Sequence, residues 1–247
     1  MPTAEPLSKH DRRLMKRVLL SWSSGKDCAW ALHLLRQQSD IEVVGLLTTI
    51  NAEFDRVAMH GTRRTILDAQ AAAADLPLWT VPLPWPCSNE IYEQRMAKVF
   101  LRAVDEKIDA IAFGDLFLRD VRTYREEQLQ PTGLEPLFPL WDIPTAELAR
   151  SMINGGLRAK LVCVASRQLD PSFAGRDFDA DLLNDLPSSV DPCGENGEFH
   201  SCVYTGPMFS GPIELEAGET VDRDGFIYAD FMPVAPPGRD PNLLEVG

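Results

Sequence analysis

Val18-Leu19-Leu20-Ser21-Trp22-Ser23-Ser24-Gly25-Lys26-Asp27-Cys28-Ala29-Trp30-Ala31-Leu32 is the stretch from which the rest of the chain is read. A short apolar run of strand length breaks into a loop of small and hydroxylated residues. A helical pattern follows from Asp27 to Gln38, with Ala29, Trp30, Leu32, Leu34 and Leu35 on or near one face. Strand, polar loop and helix in that order bring backbone N–H groups at a helix N-terminus onto an anion, and Lys26 adds a mobile charge. The Walker A pattern is not met, because Leu20 stands where its first glycine belongs and Asp27 where a hydroxyl would hold magnesium. The dinucleotide fingerprint also lacks two of its glycines. A polar turn that merely caps a helix has the same spacing. Position favours the phosphate reading, since open α/β sheets bind ligands beyond the ends of their strands.

Outward from this loop, β-rich runs alternate with helical patterns. Ile41 to Thr49 reads as a second strand, Thr62 to Asp75 as an alanine-rich helix stopped by Pro77, and Leu78 to Leu83 as a third strand closed by Pro82, Pro84 and Pro86. Ser88 caps a helix to about Lys107, Ile108 to Phe113 is a strand running into Gly114-Asp115, and Asp120 to Leu129 is helical. Leu134 to Leu140 is a short strand or extended segment. Thr145 to Asn154 is a helix stopped by Gly155-Gly156, and Lys160 to Ala165 is expected as the last strand of the sheet. The fold predicted is α/β, a doubly wound parallel five-stranded sheet, with residues 1–16 as an N-terminal extension, 17–165 as the ligand-binding domain and 166–247 as a smaller C-terminal region. In that last region periodicity fails, aspartates crowd together, and strands or hairpins are expected against the sheet's edge, with a loosely held tail after Pro233.

Composition narrows the function. A 45% hydrophobic, 25% charged chain of 247 residues is that of a globular protein, and no apolar run approaches the ~20 residues a membrane span needs. The basic stretch from Lys9 to Arg17 leads into a strand and not a signal peptide, so a cytoplasmic protein is expected. Five cysteines without a Cys-x-x-Cys pair predict neither a disulfide framework nor a zinc site. A net charge of -13 opposes nucleic-acid binding. Arg119, Arg122 and Arg125, with Arg102 upstream, are either a local basic patch or a solvated helix face. His10, His33 and His60 show no ligand spacing with one another.

The loop Ser23-Ser24-Gly25-Lys26-Asp27 resembles that of the N-type ATP pyrophosphatases, the PP-loop enzymes, and in this form it is similar to the loop of the diphthine-ammonia ligase family. Four further segments fall in that family's order: His60-Gly61-Thr62-Arg63, Phe113-Gly114-Asp115, Gly133-Leu134-Glu135-Pro136-Leu137 with Leu140-Trp141, and Gly194-Glu195-Asn196-Gly197-Glu198-Phe199-His200-Ser201. The resemblance spans roughly residues 17–210. It implies an adenine nucleotide alpha hydrolase-like fold and an ATP-dependent ligase that adenylates a carboxylate, releases pyrophosphate and AMP, and transfers ammonia. The acceptor in the family's best-known case is the diphthine side chain of elongation factor 2.

The same resemblance places ATP against Ser21, Ser23, Ser24, Gly25, Lys26 and Asp27, with Gly114 and Asp115 beside them and the adenine edge at Thr48 and Thr49. Thr48 and Thr49 read equally as plain β formers. Asp27 is the candidate for Mg2+, and Lys26 for charge developing on the leaving group. Glu195, Glu198 and His200 put two carboxylates and an imidazole within six residues, suited to taking a proton from the attacking amine. On composition alone a solvated acidic loop would look the same, and Asp191 is either a further acid or a turn former. Pro2 occupies the place of an N-terminal glutaminase cysteine and no Gly-x-Cys-x-Gly elbow is present, so free ammonia or a partner is expected as nitrogen donor. A PP-loop tRNA-modifying enzyme and a non-catalytic nucleotide-binding protein are the competing readings. The acidic charge opposes the first, and the Glu195 to His200 cluster has no use in the second.

Overall fold

The computed structural model describes residues 15–58 and 60–234. Most of the predicted N-terminal extension and the tail after Val234 therefore lie outside the described residues.

The first strand, β1 (Lys16–Ser21), shows how one sequence feeds two cores. Its side chains alternate, so Val18 and Leu20 enter one apolar cluster while Leu19 enters another on the opposite face. Strands β2 (Ile41–Asn51), β4 (Leu78–Leu83), β5 (Ala110–Ala112) and β6 (Glu135–Leu137) join it in a parallel sheet of order β4-β2-β1-β5-β6. A two-residue strand, β3 (Arg56–Val57), pairs antiparallel with the end of β2, beyond the point where β1 stops. Helices α1 (Lys26–Leu35), α2 (Arg64–Ala73) and α5 (Thr145–Asn154) contribute to the first core; α3 (Asn89–Asp105) covers the second face, and α4 (Arg119–Leu129) adds Leu129 to it. Ser88 caps α3 by accepting from the Ile91 N–H at 3.3 Å, as its position predicts. The strand order reverses between β1 and β5, which places the ligand crevice of such a sheet at their ends.

The five-stranded doubly wound parallel sheet is present, but its fifth member is Glu135–Leu137 and not Lys160 to Ala165. That apolar run forms β7 (Arg158–Ala165) of a second sheet, antiparallel and of order β8-β7-β10-β9, with β8 (Phe199–Thr205), β9 (Leu215–Arg223) and β10 (Phe226–Pro233). A run buried on both faces reads alike in either sheet, and only its partners decide between them. The second sheet does not merely flank the first sheet's edge. Val162, Cys202, Ala229 and Phe231 pack on Ile66 of α2, while Leu161, Val164, Phe199 and Val203 join the cluster that holds α1.

The crowded aspartates are spent locally. Asp179 caps the short helix α6 (Ala180–Asp185) through the Leu182 N–H at 2.8 Å, Asp177 pairs with Lys160 at 2.8 Å, and Asp185 pairs with Arg176 at 2.7 Å. No helix among the described residues is long and apolar enough to cross a membrane.

Candidate active site

The loop between β1 and α1 is clamped from two sides. Trp22 donates its indole N–H to Gln70 Oε1 at 2.9 Å, and Gln70 Nε2 donates to the carbonyls of Ser24 at 3.1 Å and Val203 at 2.7 Å. The Val203 N–H returns a bond to Ser24 O at 3.0 Å. Ser24 sits in the left-handed region at φ 69, a conformation that favours glycine, and its buried hydroxyl donates to Thr62 at 2.8 Å. The next residue must be small: a Cβ on Gly25 would lie 3.3 Å from the Ser201 carbonyl and 3.4 Å from His60. The Lys26 N–H then donates to Ser201 Oγ at 3.1 Å, so β8 of the second sheet supplies the cap that α1 lacks locally.

This loop is not the exposed one its polarity suggests. Lys26 is 2% exposed, its ammonium donates to both oxygens of Asp27, at 2.8 and 3.0 Å, and to the Cys193 carbonyl, and the rings of Phe178 and Phe199 lie 5.6 and 5.5 Å from it. Burial is the largest influence and works against the charge, but Asp27, Cys193 and Glu195 together outweigh it and hold the Lys26 pKa above its ordinary value. Burial likewise raises Asp27, against the opposing pull of Lys26.

Around this pair is a cavity of about 220 Å3. Ser21, Ser23, Lys26 and Asp27 line it from the loop, and Gly114 and Asp115 from the end of β5. Gly114 has no room for a side chain, because a Cβ would stand 2.9 Å from the Cys28 nitrogen at the start of α1. Asp115 Oδ2 lies 3.6 Å from Arg125 Nε, and neither atom has a hydrogen-bond partner although both are buried. Burial raises the Asp115 pKa, with Arg125 opposing.

The acidic signature divides. Glu195 lines the cavity with Oε1 held by the Leu116 N–H at 2.9 Å, and burial pushes its pKa up to about 7 against that bond. His200 also lines it, its ring 4.5 Å from that of His60, and burial, with Lys26 adding to it, depresses its pKa to about 4. Glu198, expected beside Glu195 as a catalytic carboxylate, is instead 3% exposed and outside the cavity lining; its Oε1 accepts from the Asp191 N–H at 2.9 Å and from Asn196 at 3.2 Å. Glu198 lies in the turn just before β8, and the donors from Asp191 and Asn196 hold its carboxylate within that turn and away from the cavity. Asp191 is a turn former, accepting from the Cys193 N–H at 2.9 Å and from Thr145 at 2.6 Å.

Thr48 and Thr49 do not line the cavity; the Thr48 hydroxyl is buried and donates to the Trp22 carbonyl at 2.7 Å. Among the polar lining residues, His60, Ser201 and Arg125 are not among the site residues read from the sequence, Arg125 appearing there only in the arginine cluster. The first two lie in segments that carry the family resemblance, and that was their only signal. Burial, and then His200, depress the His60 pKa well below the usual range, and its Nδ1 is buried without a partner. Of the arginine cluster, Arg122 stacks over Phe138 and Trp141 and pairs with Glu126 at 2.7 Å, Arg102 stacks over Trp79 and pairs with Glu106 at 2.7 Å, and Arg125 alone reaches the cavity.

Two family models match the chain, the diphthamide synthase N-terminal domain over residues 15–136 and the diphthamide synthase C-terminal domain over residues 144–229. Curated relatives that carry the name diphthine-ammonia ligase include one from Schizosaccharomyces pombe, 24% identical over 84% of this chain and 37% of its own length. A second, from Mus musculus, is 26% identical over 74% of this chain and 73% of its own, and a third, from Danio rerio, is 32% identical over 51% and 52%. The chain thus spans little more than a third of the fission yeast relative. Among solved structures, a U34-tRNA thiolase from Methanococcus maripaludis aligns with a TM-score of 0.34 and 18% identity over 56% of each chain.

Proposed function

We propose, from the premise that this chain belongs to the diphthamide synthase (diphthine-ammonia ligase) family, that it is an ATP-dependent, AMP-forming ligase that joins ammonia to a substrate carboxylate. One observation carries the reading: a single cavity gathers the loop after β1, the Gly114-Asp115 corner after β5, and Glu195 with His200 from the acidic signature. Phosphate-binding groups and proton-handling groups therefore face the same space.

In the first step a carboxylate oxygen of the acceptor attacks the α-phosphorus of ATP, the bond to the β-phosphate oxygen breaks, and pyrophosphate leaves. Ser23 and the backbone amides at the start of α1 bind the leaving group. Lys26 keeps Asp27 and the Cys193 carbonyl in register, so that the loop and the acidic signature meet the substrate as one surface. In the second step ammonia attacks the acyl carbon, AMP departs with the electron pair of the broken C–O bond, and a proton passes from nitrogen to Glu195. A carboxylate with pKa near 7 suits that transfer, because a base works best when its pKa lies near the operating pH. Its Oε1 is held by Leu116, which leaves Oε2 for the proton. His200, neutral through this range, lines the ammonia side.

Among the described residues no three His, Cys, Asp or Glu side chains are grouped to hold a metal ion by themselves. Magnesium in nucleotide sites takes one or two carboxylates and completes its shell with phosphate oxygens and water, and the orphaned Asp115 Oδ2 together with Asp27 fits that mode. When bound, the ion would neutralise charge on the phosphates. The parallel sheet is the nucleotide side and the second sheet the acceptor side, with a diphthine carboxylate the acceptor that the relatives' name gives.

The test is pyrophosphate and AMP release from ATP with ammonium and a carboxylate acceptor, together with thermal stabilisation by Mg-ATP and by NAD. Ligand at ~100 times its dissociation constant adds about 2.7 kcal/mol. Stabilisation by ATP and not NAD, with AMP formed in step with amide, is expected; ADP and phosphate as products, or equal stabilisation by NAD, would overturn the reading.

A further inference from the structure

The cavity has two permanently charged cations in its lining, Lys26 and Arg125, and they are not in the same condition. Lys26 is fully engaged: two bonds to Asp27, one to the Cys193 carbonyl, and an aromatic ring on either flank. Moving its ammonium onto a phosphate would strand Asp27 and a buried carbonyl. Arg125 is held in orientation but not saturated. Its guanidinium lies over the Phe113 ring at 4.9 Å, and Nη1 touches the Tyr92 hydroxyl only at 3.5 Å. Its Nε is buried with no acceptor, and the nearest carboxylate oxygen, Asp115 Oδ2 at 3.6 Å, is buried with no donor.

Two opposite charges this close ordinarily close to hydrogen-bond length. Here each is positioned to take another partner, the guanidinium an anion and the carboxylate a cation. A planar guanidinium pinned by an aromatic ring presents a fixed fork of donors, which matches a pair of phosphate oxygens. Resting on the nucleotide reading above, we infer that Arg125 is a further catalytic residue, the guanidinium that binds the β- and γ-phosphate oxygens of the nucleoside triphosphate, while Lys26 holds the site together. Arg125 and Asp115 then form a pair that a metal-phosphate complex separates, Arg125 going to oxygen and Asp115 to the metal.

Arg125→Lys and Arg125→Gln are compared with wild type by calorimetry, using Mg-ATP, AMP and inorganic pyrophosphate as probes. Arg122→Gln, on the same helix but outside the cavity, is the control, and circular dichroism and melting temperature report the fold. Arg125→Gln should weaken Mg-ATP and pyrophosphate by about 10- to 100-fold, the range for a lost charge-assisted hydrogen bond, and leave AMP within twofold. Arg125→Lys should recover only part of the loss, because an ammonium keeps the charge but not the fork. Unchanged ATP and pyrophosphate affinity in both variants, or an equal loss of AMP, would overturn the inference in favour of a structural arginine. If Arg125→Gln does not fold, Arg125→Lys decides the same question. A wild type that binds Mg-ATP through Arg125 but forms no AMP from ATP and ammonium with a carboxylate acceptor would sink the ligase reading and leave the arginine assignment intact.

Discussion

The main-chain N–H of Lys26 donates to the hydroxyl of Ser201 at 3.1 Å, across 175 positions of sequence. The first turn of α1 is thereby capped by a strand from the second sheet, and Ser24, two residues earlier, is bonded to Val203 of the same strand. The loop and the acidic signature are consequently one structural unit. Changes on either side should be felt on the other.

Lys26→Ala is expected to destabilise the protein as well as inactivate it. The substitution leaves Asp27 and the Cys193 carbonyl without their donor, and breaking a buried pair from one side costs about 3 kcal/mol or more. Denaturant unfolding checks this; a variant as stable as wild type but inactive would return Lys26 to the role of a free phosphate ligand.

Glu195→Gln should change the pH dependence of stability. The Glu195 pKa is raised from 4.5 to about 7, so the native state holds a proton that the unfolded chain has lost. The associated stability is present in full below pH 4.5 and is lost as pH rises through 7. Gln stays neutral, so the variant should match wild type near pH 4.5 and exceed it by about 1–2 kcal/mol at pH 8, after discounting for partial exposure. Ligase activity of wild type should fall as pH drops below 7, and the variant should lose amide formation. A stability gap that does not widen between pH 5 and 8 would show that burial does not govern Glu195.

His200→Gln addresses the acid limb. The imidazole pKa is depressed from 6.5 to about 4, so its contribution is present above pH 6.5 and lost as pH falls towards 4. The wild type should therefore lose about 2–3 kcal/mol more than the variant between those limits. Unfolding curves that run parallel over this range would place the imidazole in a more solvated setting than the structure gives it.

Glu198→Gln should leave ATP affinity unchanged and lower amide formation only as far as it disturbs the turn. Glutamine keeps an oxygen for the Asp191 N–H, whereas Glu198→Ala removes it and leaves a buried donor unmet at a cost of about 1–3 kcal/mol. Complete loss of product in Glu198→Gln with full stability would restore it as a catalytic base.

Local sequence carries the parallel sheet and the place of the phosphate loop. Period-two and period-3.6 patterns, the Ser88 cap and the glycine and proline stops are local signals, and local physics carries them into the structure almost unchanged. It also marked both halves of the site, as Ser23 to Asp27 and Gly194 to Ser201. Folding in three dimensions settles that Lys160 to Ala165 pairs with β8 and β10, that Gln70 joins Trp22, Ser24 and Val203, and that Glu195 faces the cavity while Glu198 turns away. It also separated Arg125 from the arginines around it. The strand pairing, the Gln70 contacts and the bond from Leu116 to Glu195 depend on partners met across more than thirty residues of chain, while Glu198 and Arg125 are set by neighbours nearer in sequence. An apolar run or a charged side chain has the same local pattern whichever partner it finds, so burial and hydrogen-bond satisfaction in the folded state make the choice.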